Sequence, residues 1–128
     1  MIESYRDLKA WRDALDLVDG VYRLSGTWPT DERFGLIAQI RRAAVSVPSV
    51  LAEGHARAST REYVRYVSVS LGSLAELETQ LIISVRLGYT RPDECDALLA
   101  QADEIGRMLR GLQKALDAKL QGRRQLAP

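Results

Sequence analysis

The sequence has little of the chemistry that enzymes and metalloproteins use. Cys95 is its only cysteine and His55 its only histidine in 128 residues. One cysteine excludes an intrachain disulfide and a cysteine-built zinc site, because both need several thiols. One histidine excludes the paired Glu-x-x-His motifs of di-iron bundles. We therefore predict no catalytic residue, no metal ligand and no cofactor.

Long apolar runs are also missing. No stretch approaches the roughly 18 apolar residues of a membrane-spanning helix, and the charged N-terminus lacks the apolar core of a secretory signal. The sequence thus predicts a cytoplasmic protein without a membrane partner. Because the formal net charge is only +1, a nucleic-acid partner has to be argued from where the charges lie.

The chain does have helical periodicity, with apolar residues at spacings of three and four along four segments. No segment alternates with period two. Over residues 7–25 the stripe is Leu8, Trp11, Leu15, Val18 and Tyr22, and over residues 31–55 it is Phe34, Ile37, Ile40, Ala44, Val47 and Leu51. The third and fourth stripes are Val67, Leu71, Leu74, Leu81 and Val85, and Leu98, Ala102, Ile105, Leu109, Leu112 and Leu116.

Local signals set the helix boundaries. Thr30 is the predicted N-cap of the second helix, and Pro48 predicts a kink inside it because proline removes a backbone hydrogen bond. Ser59 and Glu62 form a capping box that opens the third helix, and Gly88 closes that helix. The fourth begins with a proline in its first turn.

Four helices with short connectors favour an all-α fold, an antiparallel up-and-down four-helix bundle. We predict one domain over residues 1–120. Residues 121–128 continue no stripe and are predicted to be a disordered basic tail.

Two regions have more apolar surface than one core needs, around Pro48 and in the second half of the third helix. A helix that is apolar most of the way round has to bury a second face. The sequence therefore predicts a homo-oligomer. Its expected contacts are Val45, Val50, Ile82 and Ile83.

Two helices carry charged residues on or beside their apolar stripes. Glu78 lies on the third stripe and Arg41 at the edge of the second. A half-buried carboxylate needs a partner, and the arginine fork is the best one. We predict that Arg41 or Arg42 pairs with Glu76 or Glu78 and so fixes the helix register; the alternative is a functional polar site inside the bundle.

Basic residues concentrate in two places. The candidate nucleic-acid contacts are Arg57, Arg61 and Arg65 around the turn between the second and third helices, and Arg107, Arg110, Lys114 and Lys119 on the fourth helix. Such a stripe could follow the phosphates of RNA or DNA. It could equally be a solvated helix face, with cations placed favourably near a helix C-terminus.

Two segments resemble the signature of a known family: QIRRAAVSVPSVLAEG at 39–54 and GSLAELETQL at 72–81. With YRDL at 5–8 and RFGL at 33–36, they make the chain resemble the 23S rRNA-intervening-sequence proteins over about residues 5–90. The resemblance implies a four-helix bundle and a homopentamer. It also implies nucleic-acid binding, as in a similar bundle, the accessory variability protein of diversity-generating retroelements.

The sequence departs from the family pattern at Val50, where asparagine is usual, so a polar role at that position is lost. His55, Ala56 and Arg57 are only moderately basic where the family commonly has glycine or basic residues. We expect a non-enzymatic oligomeric bundle that binds RNA or DNA through basic surface. The alternatives are a scaffold that binds another protein, and an enzyme that uses the interior arginine and glutamate residues.

Overall fold

The computed structural model describes residues 4–126, with side chains as far as Arg123. This part of the chain forms four α-helices and no strand: α1 (Lys9–Ser25), α2 (Leu36–His55), α3 (Thr60–Arg86) and α4 (Pro92–Leu126). Single-turn 3-10 helices, Tyr5–Asp7 and Thr30–Glu32, precede α1 and α2. The all-α prediction is confirmed. None of these helices is long and apolar enough to cross a lipid bilayer.

The helices pack as a four-helix bundle around one apolar core. α2 packs against α1 and α3, and α4 packs against α3 and α1. Each helix contributes fully buried leucine or isoleucine side chains: Leu17, Ile40, Leu51, Leu77, Leu81, Ile105 and Leu109. Burying one such side chain stabilises a fold by about 1.5–3 kcal/mol. These seven side chains therefore supply much of the driving force for folding of the bundle.

Several predicted boundaries are confirmed. The Ser59 hydroxyl accepts a hydrogen bond from the Glu62 backbone N–H at 3.2 Å and caps α3. Gly88 has a φ of 79°, the left-handed conformation in which glycine commonly ends helices. Pro92 is the first residue of α4, and α2 continues through Pro48 as one helix.

The predicted start of α2 is wrong. Thr30 begins a 3-10 turn instead of capping α2, which starts at Leu36. The Glu32 carboxylate accepts a hydrogen bond from the Leu36 N–H at 3.2 Å and so satisfies one of the first helical donors. Phe34, predicted in the apolar stripe, precedes the helix and is 87% exposed.

α1 buries a different face from the predicted one. Its buried residues are Ala10, Ala14, Leu17, Val21, Leu24 and Ser25, and the first five also recur at spacings of three and four. In the predicted stripe, by contrast, Leu15 is 39% and Tyr22 42% exposed. α1 therefore carries two apolar stripes. The predicted stripe is divided: Leu8 is buried, Trp11 and Val18 are half-buried and pack against the core, and Leu15 and Tyr22 are exposed.

α4 is longer than predicted, because residues 121–126 are helical rather than a disordered tail. Loss of the apolar stripe ends contact with the core but does not end the helix. The segment contains no proline and has several good helix formers, so helical backbone continues.

A buried polar network joins the two connectors at one end of the bundle. The Trp28 indole N–H donates to the Thr90 hydroxyl at 2.9 Å, and the Thr90 and Ser84 hydroxyls share a hydrogen bond of 2.9 Å. The Tyr89 hydroxyl donates to the Glu32 carboxylate at 3.0 Å. The α1–α2 connector is thereby tied to the α3–α4 connector.

Candidate nucleic-acid interface

At the opposite end of the bundle, cations from two distant parts of the sequence meet. An Nη of Arg123, late in α4, donates a hydrogen bond to Thr60 Oγ1 at the first residue of α3, at 3.2 Å. Lys119 precedes Arg123 by four residues and so shares its helix face. We call this surface the basic end; its residues are Arg57, Arg61, Arg65, Lys119 and Arg123.

Tyr66 contacts two arginines of the basic end. The guanidinium carbons of Arg57 and Arg65 are 5.1 and 5.7 Å from its ring centroid. Arg57 also donates to the Tyr66 hydroxyl at 2.9 Å and to the Glu53 carboxylate at 3.1 Å. Arg57 is thus restrained and partly neutralised, whereas Arg61 and Arg65 are exposed without an ion-pair partner among the described residues.

Close contact between α2 and α3 positions the basic end. Gly54 packs directly against Tyr66 and Tyr63, so the two helices approach closely just before the turn. His55 meets the Tyr63 ring edge-on at 5.5 Å. Burial raises the pKa of Tyr63. The sole histidine is therefore a packing partner of a tyrosine in this structure.

The other predicted contacts lie elsewhere on α4. Arg107 precedes Arg123 by 16 residues, or roughly 24 Å of helix, and donates to the Glu104 carboxylate at 3.2 Å. Arg110 and Lys114 line a shallow hollow of about 340 Å³ that also contains an aspartate. Acidic neighbours reduce the positive potential along this part of α4.

The predicted pairing of Arg41 with Glu76 or Glu78 is absent. Arg41 Nε donates to Ser25 Oγ at 2.9 Å, and an Nη donates to the Tyr22 carbonyl at 3.2 Å. Its guanidinium carbon is 4.5 Å from the Tyr22 ring centroid. Arg41 turns toward α1, where the Tyr22 carbonyl, which also accepts the Gly26 N–H, lies at the negative end of the helix dipole and attracts a cation.

The other members of the predicted pair also form no ion pair with one another. Arg42 is exposed, and the Glu76 carboxylate accepts a hydrogen bond from the Gln80 amide at 3.3 Å. Glu78 is half-buried; burial, and then the nearby Asp103 carboxylate, raise its pKa. The position holds a carboxylate whose ionised form the fold disfavours.

A hollow between α1 and α4 has the opposite charge. It measures about 580 Å³, and its charged lining residues are Asp13, Asp16, Asp19, Arg23 and Glu104. The described residues contain no group of three or more His, Cys, Asp or Glu side chains that could hold a metal ion. An acidic hollow repels phosphate, which restricts a nucleic-acid interface to other parts of the surface.

The predicted oligomer contacts are at least partly accessible. Val45, Ile82 and Ile83 are 39%, 50% and 38% exposed, and Val50 is half-buried. Val45 borders an apolar groove of about 270 Å³ between α1 and α2. The groove is lined by Tyr5, Trp11, Leu15, Val18, Val45, Pro48, Ser49 and Ala52.

Sequence reasoning missed that groove because it placed the whole predicted stripe of α1 in the core. It also missed the contact of Arg123, which falls in the segment predicted to be disordered. Nothing in the sequence places Tyr66 in contact with two arginines, since that contact depends on how α2 meets α3.

Comparison with known proteins decides the family. The family model of 23S rRNA-intervening sequence proteins matches residues 6–111. The chain belongs to this family. A similar solved structure, a protein of unknown function from the S23 ribosomal protein family of Bacteroides thetaiotaomicron, has 18% identity and a TM-score of 0.76. The likeness covers 82% of this chain and 98% of that one, and it shows the fold. No curated protein sequence matches the chain.

Two glycines of the family-like segments have different surroundings in this 23S rRNA-intervening sequence protein. Gly54 lies at the close contact between α2 and α3. Gly72 lies on the outward side of α3, and a β-carbon there would have no atom within 4 Å apart from its chain neighbours and the backbone of its own helical turns. Packing within one chain therefore accounts for Gly54 and leaves Gly72 unexplained.

Proposed function

We propose that this 23S rRNA-intervening sequence protein is a non-enzymatic, oligomeric nucleic-acid-binding protein whose basic end contacts the phosphate backbone. The hydrogen bond between Arg123 and Thr60 carries the proposal, because it joins two cationic segments into one surface. The acids nearest in sequence to these five cations are Glu53, Glu62 and Asp117. This local excess is hidden in a formal net charge of +1.

The contacts at the basic end favour phosphate over base recognition. Arg61 and Arg65 are exposed, so each can contact a backbone oxygen. Tyr66 already contacts two guanidinium groups, which leaves little open ring face for stacking on a base. Binding of this kind depends weakly on nucleotide sequence and falls steeply with salt, because each phosphate contact releases counterions.

The proposal includes a specific architecture. Arg123 contacts the first residue of α3, and Gly106, earlier in α4, lies near Leu74 in the middle of α3. These contacts support antiparallel α3 and α4 and an up-and-down bundle in one domain. We also propose a kink in α2 at Pro48, since proline cannot donate a hydrogen bond to the carbonyl four residues earlier.

We further propose a homopentamer located in the cytoplasm. The family resemblance and the exposed apolar residues of α1, α2 and α3 support an oligomer. Assembly would repeat the basic end around an axis, so that one nucleic acid could contact several copies and bind more tightly than to a single copy.

A protein-interaction scaffold without nucleic-acid binding is the second candidate. The apolar groove between α1 and α2 favours it, because another polypeptide could cover that surface. An enzyme using the interior polar residues has less support, since Arg41 and Glu78 lie in separate contacts.

The test compares two triple variants for binding to a labelled structured RNA at two salt concentrations. One variant removes charge from the basic end by Arg61→Gln, Arg65→Gln and Arg123→Gln. The matched control removes three arginines from the opposite end by Arg33→Gln, Arg86→Gln and Arg91→Gln. We expect the first to lower the slope of log affinity against log salt by about three and the control to change it little.

The outcomes separate the three candidates. If the parent protein fails to bind at low salt, the scaffold remains and nucleic-acid binding is refuted. Equal losses in both triple variants would mean that net charge, not the basic end, determines binding. RNA cleavage that persists through purification and disappears with a point mutation would establish an enzyme instead.

A further inference from the structure

The exposed apolar surface is concentrated in two regions of the described chain. Eight large apolar side chains are exposed, and Phe34 is the one that lies in neither region. Leu15 and Val45 line the groove between α1 and α2, which we call the α1–α2 groove, and Tyr22 follows the lining residue Val18 by one helical turn. Val69, Ile82, Ile83 and Leu87 lie on α3 or directly follow it, on an outward surface that we call the α3 face.

The α3 face is shaped for the close approach of another helix. Small residues follow its outward side at spacings of four, three and four, and all of them are exposed: Ser68, Gly72, Ala75 and Thr79. Glycine destabilises a helix, so a glycine inside one is useful only where the absence of a side chain is required. Apart from its chain neighbours and the backbone of its own helical turns, nothing in the same chain lies within 4 Å of the β-carbon position at Gly72, so packing inside the chain does not account for this glycine.

The α1–α2 groove has the complementary character. Trp11 packs edge-on against Tyr5 at 5.2 Å, which holds one end of the groove open as an apolar surface. Toward the C-terminus of α1, Arg41 stacks over Tyr22. The groove therefore has an apolar floor, and a fixed cation lies one helical turn beyond its lining residues Val18 and Val45.

Charge gives the two surfaces a further match. Arg41 hydrogen-bonds only neutral groups, the Ser25 hydroxyl and the Tyr22 carbonyl. Glu76 lies on α3 between the exposed Val69 and Ile83, and no cation among the described residues lies within 4 Å of it. An acid on one surface and a cation without a carboxylate partner on the other complement each other across an interface.

We propose that the α3 face of one copy docks into the α1–α2 groove of a second copy, with Glu76 directed toward Arg41 of that copy. This deepens the proposed oligomer, on which it rests, by naming its two surfaces. The surfaces differ, so the contact is head-to-tail. Each docked pair keeps one free groove and one free face, and further copies can add until a ring closes.

The test blocks each surface separately. Gly72→Arg places a long side chain on the α3 face without a clash inside the chain, and Leu15→Arg places one in the groove. Light scattering should give the parent a multiple of 14.3 kDa and each variant alone the mass of one chain. A mixture of the two variants should form a one-to-one pair, because one retains the groove and the other retains the face.

Several outcomes would overturn the head-to-tail contact. These are a monomeric parent, variants that keep the parental mass, or a mixture that stays monomeric although circular dichroism shows both variants folded. If Leu15→Arg unfolds, Val45→Arg blocks the same groove and replaces it. A parent that assembles as proposed yet binds no RNA refutes the nucleic-acid proposal and leaves the docking intact.

Discussion

Gly54 of α2 lies so close to Tyr66 of α3 that a β-carbon on the glycine would overlap the β-carbon of the tyrosine. The Tyr66 β-carbon is bonded to the α3 backbone, so it can move only with the helix. Gly54→Ala should therefore push α2 and α3 apart and lower the free energy of unfolding by about 1–3 kcal/mol. Urea unfolding followed by circular dichroism measures the change.

Gly111→Ala in α4 is the matched control for that substitution. No atom lies within 4 Å of the β-carbon position at Gly111, and alanine is the better helix former. This variant should gain about 0.5–1 kcal/mol. If Gly54→Ala were as stable as Gly111→Ala, the close approach of α2 to α3 would be refuted.

Glu78→Gln should stabilise the protein at neutral pH. Burial, and then Asp103, raise the pKa of Glu78, so the folded state favours the protonated carboxyl. The destabilisation is absent below the ordinary glutamate pKa of about 4. It grows as the pH rises from that value to the raised pKa and is complete above the raised pKa. Thermal unfolding from pH 4 to pH 8 should give a gain for Glu78→Gln that grows with pH.

Asp103→Asn provides the control for the charge contribution. With the neighbouring acid gone, only burial opposes ionisation of Glu78, so the gain from Glu78→Gln should be smaller in that background. A gain that is the same at every pH would show that ionisation of Glu78 is not its cause.

Thr90→Val should destabilise the protein by about 1–3 kcal/mol, because it leaves the buried Trp28 indole N–H without an acceptor. Valine matches threonine in shape, so packing changes little. Thr27→Val is the control, since the Thr27 hydroxyl donates to the Leu24 carbonyl only three residues earlier in the same connector region. Equal unfolding free energies for the two variants would mean that the Trp28 contact contributes nothing.

The sequence predicted what depends on local chemistry. Ser59 caps α3, Gly88 ends it and Pro92 opens α4, because each acts through backbone atoms a few residues away. α1 was different, since two stripes of equal periodicity compete for the core. The stripe with the smaller side chains, which includes Ala14, faces the core, and residues of the stripe that contains Trp11 line the groove. Period alone cannot rank two such faces.

The contacts of the charged residues were the least predictable. Arg41 or Arg42 was expected to pair with Glu76 or Glu78, but Arg41 instead donates to the Tyr22 carbonyl near the end of α1. The basic end likewise depends on Arg123 contacting Thr60, two residues 63 positions apart in sequence. Such contacts follow from how the helices are packed and not from the pattern along any one of them.

The hydrogen bond between Trp28 and Thr90 joins residues 62 positions apart and fastens two connectors together. Among the described residues, the opposite end has no comparable buried hydrogen bond between distant segments. Its long-range hydrogen bond, from Arg123 to Thr60, is exposed. Local opening should therefore start at the basic end, and amide hydrogens there should exchange with solvent sooner than those around Thr90. A nucleic acid bound at the basic end, as we propose, would then slow exchange where the free protein opens most readily.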